Sequence, residues 1–365
     1  MCFCMFFFTT FADIFVQNKM KIEEHISAFA KLAACLKVAL EDRYKGNQKL
    51  RKQIAQEQNH NAWFVPFFVK KSIEAIIQML DEKQLTQWIL PYKNQIENRE
   101  NSLQVGVVMA GNIPLVGFHD FLSVLITGHT FLGKLSSQDA QLLPIIAEML
   151  CKIDPRFTEK IRFCNNNIRK IDRLIATGNN KTANYMEYYF QNTPSIVRRH
   201  CNSIAILDGN ESEEDLINLA DDVFLYFGLG CRNVSKIYIP RKYNFEPLFA
   251  AFNSHKKIMN KHNKYLNNLD YQKTVHLLNA VPFLDQGFII CKENTDLNSP
   301  ISVLHYQYYD DLDMAVKEIA LSRNEIQCVA SNALQKHSFV RLGQTQFPTL
   351  HDYANGINTL EFLLK

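Results

Sequence analysis

Cys231 is the residue of this chain whose surroundings most favour nucleophilic chemistry. It stands between Gly230 and Arg232 in the segment FGLGCRNVS, where a helical pattern ends and the apolar run KIYIP begins. The preceding glycine leaves the sulfur sterically open, and the neighbouring guanidinium favours the thiolate, which is the reactive form of cysteine. An isolated cysteine is more often a small buried hydrophobe, so this pattern predicts a candidate nucleophile that needs support from other segments.

Three further segments place polar residues directly after apolar runs. Asn112 and Pro114 follow the run VGVVMA. Lys134 comes near the end of FLGKL, and Thr177 with Gly178 follows RLIA. An asparagine amide such as that of Asn112 can donate to a developing oxyanion. A lysine at the carboxyl end of a strand points into the ligand crevice of an open sheet. The backbone N–H groups at the start of a helix can bind a phosphate. Taken singly, these segments also fit an ordinary turn, a solvated lysine and a helix cap.

The elements that must position these residues follow an alternating pattern. Short apolar runs at 105–110, 131–135, 160–164 and 173–178 are separated by longer amphipathic stretches, and the alternation resumes after Pro194. This spacing is typical of parallel strands joined by helices. We therefore expect an α/β fold with two doubly wound lobes, preceded by a helical segment from Met20 to about Tyr92.

Four regions follow from this pattern. Residues 1–19 are predicted to be a disordered or spurious extension, because the periodic pattern begins only at a second methionine, Met20. Residues 20–204 are expected to hold the helical lead-in and a cofactor-binding α/β domain, and 205–345 a catalytic α/β domain that carries Cys231. Residues 346–365 are expected to be a tail that docks on the core.

Composition gives no support to several classes of function. The 365 residues carry a net charge of +3, with 47% hydrophobic and 21% charged residues, so no clustered basic footprint for nucleic acid is indicated. The nine cysteines are an odd, scattered set, which indicates reduced thiols and a cytoplasmic location. The apolar N-terminal stretch is too short to span a bilayer. Histidines show no metal-ligand spacing, so we expect no metal.

Together and in this order, the segments resemble the aldehyde dehydrogenase superfamily, in particular its acyl-CoA reductase branch that supplies fatty aldehyde in bacterial luminescence systems. The resemblance covers about residues 60–365. It rests on five segments: Gly111-Asn112-Ile113-Pro114, Lys134-Leu135-Ser136-Ser137, Thr177-Gly178-Asn179, Cys231 with the following Ser235-Lys236-Ile237-Tyr238-Ile239-Pro240, and Ser299-Pro300-Ile301-Ser302-Val303.

The resemblance implies an NADPH-dependent reduction of a fatty acyl-CoA to aldehyde and free CoA. In that reaction Cys231 carries the acyl group as a thioester, and Asn112 holds the oxyanion. The cofactor-binding residues implied are Lys134, Ser136, Ser137, Thr177 and Gly178. The implied partners are the acyl-CoA substrate and either a second copy of the chain or an acyl-activating enzyme.

Departures from the superfamily pattern refine this expectation. Residues 195–200, SIVRRH, lack the carboxylate that activates water in hydrolytic members, which favours exchange with CoA. Leu229 stands in place of the usual glutamine. Ser137 stands where members that prefer NAD have a carboxylate, so NADPH is favoured and NADH stays open. Two alternatives remain: a hydrolytic aldehyde dehydrogenase, and a non-catalytic protein of the same fold that binds acyl-CoA or a partner.

Overall fold

The computed structural model describes residues 20–41, 48–164, 168–333 and 339–365. The expectation for residues 1–19 lies outside these ranges. The described chain opens with five helices: α1 (Ile22–Leu40), α2 (Gln48–His60), α3 (Pro66–Met79), α4 (Glu82–Ile89) and α5 (Lys93–Glu97). Their apolar residues recur every three or four positions, so each helix buries one face. Helix α3 begins at Pro66, where the missing N–H costs no helical hydrogen bond.

Residues 104–198 form sheet A, which has five parallel strands in the order β3-β2-β1-β4-β5. The strands are β1 (Gln104–Val108), β2 (Thr130–Lys134), β3 (Ile161–Cys164), β4 (Arg173–Thr177) and β5 (Ser195–Arg198). The helices between them are α6 (Phe118–Ile126), α7 (Leu142–Ile153) and α8 (Asn180–Tyr189). The strand order reverses between β1 and β4, so the loops after these strands diverge and leave a crevice at the carboxyl edge of the sheet.

Sheet B contains six strands in the order β11-β6-β7-β10-β9-β8. The strands are β6 (Asn202–Ile206), β7 (Val234–Pro240), β8 (Leu284–Asp285), β9 (Ile290–Glu293), β10 (Val303–Tyr309) and β11 (Ile326–Ala330). Only β8 is antiparallel to its neighbour, so the sheet is mixed. The associated helices are α9 (Glu213–Phe224), α10 (Phe245–Met259), α11 (Asn263–Leu278) and α12 (Leu312–Leu321).

The predicted α/β fold with two lobes and a helical lead-in is confirmed, with differences in detail. The short edge strands β5 and β8 are additional to the prediction, because so few residues show no clear alternation. The stretch from Phe245 to Leu278 forms two helices, and His262 caps the second by accepting the N–H of Tyr265. The expected boundary between residues 204 and 205 falls inside β6, so sheet B begins at Asn202.

The C-terminal residues return to the lobe built on sheet A. Helix α13 (Thr359–Leu364) buries Leu360 and Leu363 in the same core as α6 and the lead-in helices. The Thr359 hydroxyl accepts a hydrogen bond from Arg198, whose guanidinium also forms a buried ion pair with Asp120 of α6. In the described ranges no helix is long and apolar enough to cross a membrane.

Candidate active site

A cavity of about 520 Å³ opens at the carboxyl edge of sheet A and reaches the loop before β7. Its walls come from the loop after β1 (residues 110–118), the turn after β4 (177–179), the segment after β5 (198–200) and the inner face of α3. Cys231 lines the same cavity. The cavity thus gathers loops from both sheets around the candidate nucleophile.

The loop that carries Cys231 is held in an unusual backbone conformation. Tyr226, Phe227 and Gly228 have φ values of 54°, 57° and 75°, so three consecutive residues are left-handed, although two of them have side chains. Such residues are strained and persist only where the surrounding structure fixes them. Asn233 supplies part of that support, because its side chain accepts the N–H of Gly230 and donates to two carbonyls at the end of α9.

The aromatic rings of this loop supply the rest of the support. Phe227 is buried against Phe68, Trp63 and His262, with ring centroids 4.2 to 5.3 Å apart. Tyr226 packs against Phe68 of α3, with ring centroids 5.7 Å apart. These contacts tie the nucleophile loop to the helical lead-in.

Asn112 lies opposite this loop. Its amide nitrogen donates a 2.7 Å hydrogen bond to the carbonyl of Leu229, two residues before Cys231. An amide carries two N–H donors, so one of them holds the two loops together and the second is a candidate donor to a ligand in the cavity. The Ser72 hydroxyl donates to the carbonyl of Pro114 at 2.6 Å, which fixes the far end of the same loop.

His200 lies beside the Cys231 sulfur in the described cavity wall. The His200 Nδ1 lies 3.7 Å from the Cys231 Sγ. Burial alone would raise the pKa of the Cys231 thiol, but His200 and the backbone N–H of Cys201 favour the thiolate, and the pKa is lowered overall. The partnership with Cys231 raises the pKa of His200 above its usual value, against the effect of burial.

The predicted cofactor residues fall into two groups. Thr177 and Gly178 line the cavity, directly beside the loop after β1. Lys134, Ser136 and Ser137 lie outside its walls, at the end of β2 along the same edge of sheet A. Lys134 pairs with Val108 in the sheet, and a side chain at Gly111 would collide with Ser136. The second group therefore adjoins the cavity without forming its wall.

Cys231 lines the cavity, but its neighbours differ from those that the sequence indicates. Arg232 was expected to stabilise the thiolate, yet its Nε donates to the carbonyl of Thr345, and His200 has the larger effect on the pKa of Cys231. The sequence pattern assigns no role to His200. The signal that could have found it is its position at the end of the segment SIVRRH, where the superfamily places its general base.

No group of three or more His, Cys, Asp or Glu side chains within the described ranges could hold a metal ion. Seven free cysteines are present there, and three of them, Cys201, Cys231 and Cys328, lie on neighbouring elements of sheet B. Ser203 links two of them, because its hydroxyl bonds both the Cys231 carbonyl and the Cys328 sulfur.

Comparison with solved structures finds aldehyde dehydrogenases. Aldehyde dehydrogenase 21 from Physcomitrella patens, solved with succinate, has a TM-score of 0.64 at 13% identity, covering 98% of this chain and 89% of its own. The enzyme KauB from Pseudomonas aeruginosa has a TM-score of 0.60 at 12% identity, covering 87% and 73%. The NAD⁺ complex of an aldehyde dehydrogenase from Bacillus cereus has a TM-score of 0.56 at 15% identity, covering 87% and 76%. At these identities the likeness establishes the fold.

Sequence comparison identifies the family. No curated protein matches the chain. The family model described as acyl-CoA reductase (LuxC) matches residues 17–246, which is more than half of the sequence and includes both Asn112 and Cys231. With this match and an aldehyde dehydrogenase fold, the chain belongs to the acyl-CoA reductase (LuxC) family of oxidoreductases.

Proposed function

We propose that the protein reduces a fatty acyl-CoA to the aldehyde and free CoA, with NADPH as reductant and an acyl thioester on Cys231 as intermediate. The observation that carries this proposal is the convergence of Cys231 and Asn112 on one cavity at the carboxyl edge of a parallel sheet. The cavity offers a nucleophile, an amide donor and a crevice for a ligand within one enclosed space.

The crevice has the features that a nicotinamide cofactor requires. Dinucleotides bind where the strand order of an open parallel sheet reverses, and here the loops after β1 and β4 flank that point and line the cavity. Lys134 forms no ion pair with a carboxylate in the described ranges, so its ammonium remains for ribose hydroxyls or phosphate. Thr177 and Gly178 line the same cavity as Cys231. When bound, the cofactor supplies the hydride that reduces the acyl carbon.

Ser137 supports NADPH over NADH. It is exposed beyond the end of β2, in the position expected to face the adenosine ribose. A carboxylate there would accept from the 2′-hydroxyl of NADH and repel the 2′-phosphate of NADPH. A serine neither binds the 2′-hydroxyl nor repels the 2′-phosphate strongly, so NADPH can bind.

The inner face of α3 provides an apolar surface for an acyl group. Ala75, Ile76 and Met79 line the cavity together with Val116 and Phe118, so a hydrocarbon chain attached at Cys231 has an apolar wall to lie against. Burial of each methylene contributes roughly 0.8 kcal/mol. This arrangement favours a fatty acyl substrate over a small polar one.

Two carboxylates line the described cavity, and both are already engaged. Asp120 is paired with Arg198, and Asp352 accepts from the N–H and hydroxyl of Thr349. Neither is free to activate water against a thioester, which a hydrolytic aldehyde dehydrogenase requires. The arrangement therefore supports thiol exchange over hydrolysis.

In the proposed reaction the residues of the chain have distinct tasks. The Cys231 thiolate attacks the thioester carbonyl, and the carbon–sulfur bond to CoA breaks as the acyl thioester forms. The second N–H of Asn112 and the backbone N–H of Cys231 hold the negative charge on the carbonyl oxygen. The same two donors serve again when the acyl carbon is reduced and Cys231 leaves as thiolate.

The test is a stoichiometric assay with tetradecanoyl-CoA and NADPH. The proposal predicts that aldehyde, CoA and oxidised cofactor appear in equal amounts, and that Cys231→Ala abolishes all three while Cys151→Ala on α7 does not. Release of fatty acid without oxidation of the cofactor would contradict it.

Replacing Ser137 by Glu is expected to lower kcat/KM for NADPH about tenfold or more relative to NADH, because a carboxylate repels the 2′-phosphate.

A further inference from the structure

His200 and Cys231 are in contact at the cavity wall and come from segments next to different sheets. His200 follows β5 of sheet A, and Cys231 precedes β7 of sheet B. The imidazole Nδ1 and the sulfur are 3.7 Å apart, which is within hydrogen-bond reach for sulfur, and both side chains line the cavity. A histidine in this relation to a cysteine is the usual arrangement for activating a thiol.

We propose that His200 is the acid–base residue of the acyl transfer: it takes the Cys231 thiol proton and then delivers that proton to the departing CoA sulfur. This inference rests on the proposed function and adds a catalytic residue to it.

The protons and bonds balance without a further reactant. The thiol proton moves to the His200 imidazole as the sulfur bonds the acyl carbon. The carbon–sulfur bond to CoA then breaks, and the imidazolium returns its proton to that sulfur, which leaves as a free thiol. After the reduction step, Cys231 is released as thiolate and regains a proton from solvent through His200. The proton that the overall reduction consumes enters by this route.

Among the ionisable groups described around Cys231, His200 is the one suited to act as the base. The pKa of His200 is set by Cys231, by burial and by the side chain of Asn202, and none of these is a carboxylate. Burial raises the pKa of the nearby Cys201 thiol, whose sulfur accepts a hydrogen bond from Asn355. Among the neighbouring cations, Arg199 is bound to Glu187.

Arg232, the other cation beside the pair, donates to the Thr345 carbonyl and cannot take a proton at neutral pH. Of the groups described around Cys231, His200 alone combines a suitable position with a proton affinity near neutral pH.

An imidazole suits this reaction better than the carboxylate of hydrolytic enzymes. A carboxylate is a weak acid–base partner for thiols at neutral pH, whereas a histidine can both accept and return the proton. His200 can thus assist both the attack of the Cys231 sulfur and the departure of the CoA sulfur.

The first test measures the thiolate directly and needs no substrate. Alkylation of Cys231 by iodoacetamide is followed by peptide mass spectrometry as a function of pH, in the wild type, in His200→Gln and in His60→Gln, which changes an exposed histidine at the end of α2. We expect the wild type and His60→Gln to share a midpoint below the ordinary cysteine value of about 8.5. His200→Gln should raise the midpoint by about one pH unit or more. Identical profiles for all three proteins would overturn the proposal.

The second test separates the acid role from the base role. In a single turnover, His200→Gln should slow CoA release by about 10²-fold, the usual size of a lost general acid–base group. An acyl thiophenol ester has a leaving group that needs no proton, so the defect with this ester should be at least tenfold smaller. An equal defect with both esters would contradict transfer of a proton to the leaving sulfur.

The two tests also distinguish failure of this inference from failure of the proposed function. Should wild-type protein form no acyl adduct, the proposed function fails, while the alkylation profile still decides whether His200 controls Cys231. If His200→Gln does not fold, the wild-type profile remains decisive, because a single midpoint near 8.5 would refute the pairing.

Discussion

The side-chain amide of Asn112 donates a 2.7 Å hydrogen bond to the main-chain carbonyl of Leu229. This bond joins the loop after β1 in sheet A to the nucleophile loop before β7. It also orients the amide, because fixing one N–H fixes the direction of the other. The distance between oxyanion donor and nucleophile is therefore set by a bond between the two lobes.

Replacing Asn112 by Ala should reduce the single-turnover rate of CoA release by about 10²–10³-fold, the usual loss for one oxyanion donor. The midpoint of thermal unfolding should fall only slightly, because one hydrogen bond is worth about 1 kcal/mol. Asn279→Ala, on an exposed helix end, serves as the matched control. An Asn112→Ala protein with an unchanged acylation rate would remove this residue from the mechanism.

The Ser72 hydroxyl ties the helical lead-in to the loop after β1. It donates to the buried Pro114 carbonyl at 2.6 Å. Ser72→Ala should cost about 1–3 kcal/mol in the free energy of unfolding, because a buried carbonyl loses its donor. Ser102→Ala, which also loses a bond to a carbonyl but at an exposed site, should cost less. Equal losses in urea unfolding would contradict this role.

His129 makes the free energy of unfolding depend on pH in the acidic range. Burial lowers its pKa to about 3, and its Nδ1 accepts the N–H of Leu103, which requires a neutral ring. Below pH 6.5 this histidine binds a proton in the unfolded chain but not in the folded chain. Its contribution to the free energy of unfolding is therefore fully present above pH 6.5 and is lost as the pH falls towards 3. This histidine alone contributes a slope of about 1.4 kcal/mol per pH unit.

His129→Gln should flatten that dependence in urea titrations between pH 6.5 and 4.5, relative to the wild type and to His60→Gln. The absolute stability at neutral pH is expected to fall as well, since the bond to Leu103 is weakened. A variant that keeps the wild-type slope would show that other groups control the acid transition.

The buried pair of Arg198 and Asp120 holds α6 and the C-terminal helix to the edge of sheet A. Asp120→Ala leaves a buried guanidinium without its partner, which should cost about 3–5 kcal/mol in the free energy of unfolding. Asp310→Ala breaks the exposed pair with Arg241 and should leave the thermal midpoint unchanged. Similar losses from both substitutions in thermal unfolding would argue against a structural role for the buried pair.

Much of the fold was predictable because the apolar runs of parallel strands and the helical periodicity between them are strong local signals. The candidate nucleophile and Asn112 were predictable because both belong to contiguous motifs. The edge strand β5 carries no such signal, and its extent depends on pairing with β4, which sequence does not display.

His200 was missed for a related reason. Its role depends on a contact between residues 31 positions apart, made only when β5 of one sheet and the loop before β7 of the other are both in place. Arg232 was misjudged because adjacency in sequence does not fix where a side chain points, and its guanidinium turns to Thr345.

The most direct test of the account is the intact mass of the protein after incubation with tetradecanoyl-CoA in the absence of a reductant. The account predicts one acyl adduct on the wild type, no adduct on Cys231→Ala, and loss of the adduct as aldehyde when NADPH is added. An adduct that persists in Cys231→Ala, or the absence of any adduct on the wild type, would contradict the central claim that Cys231 carries the acyl group.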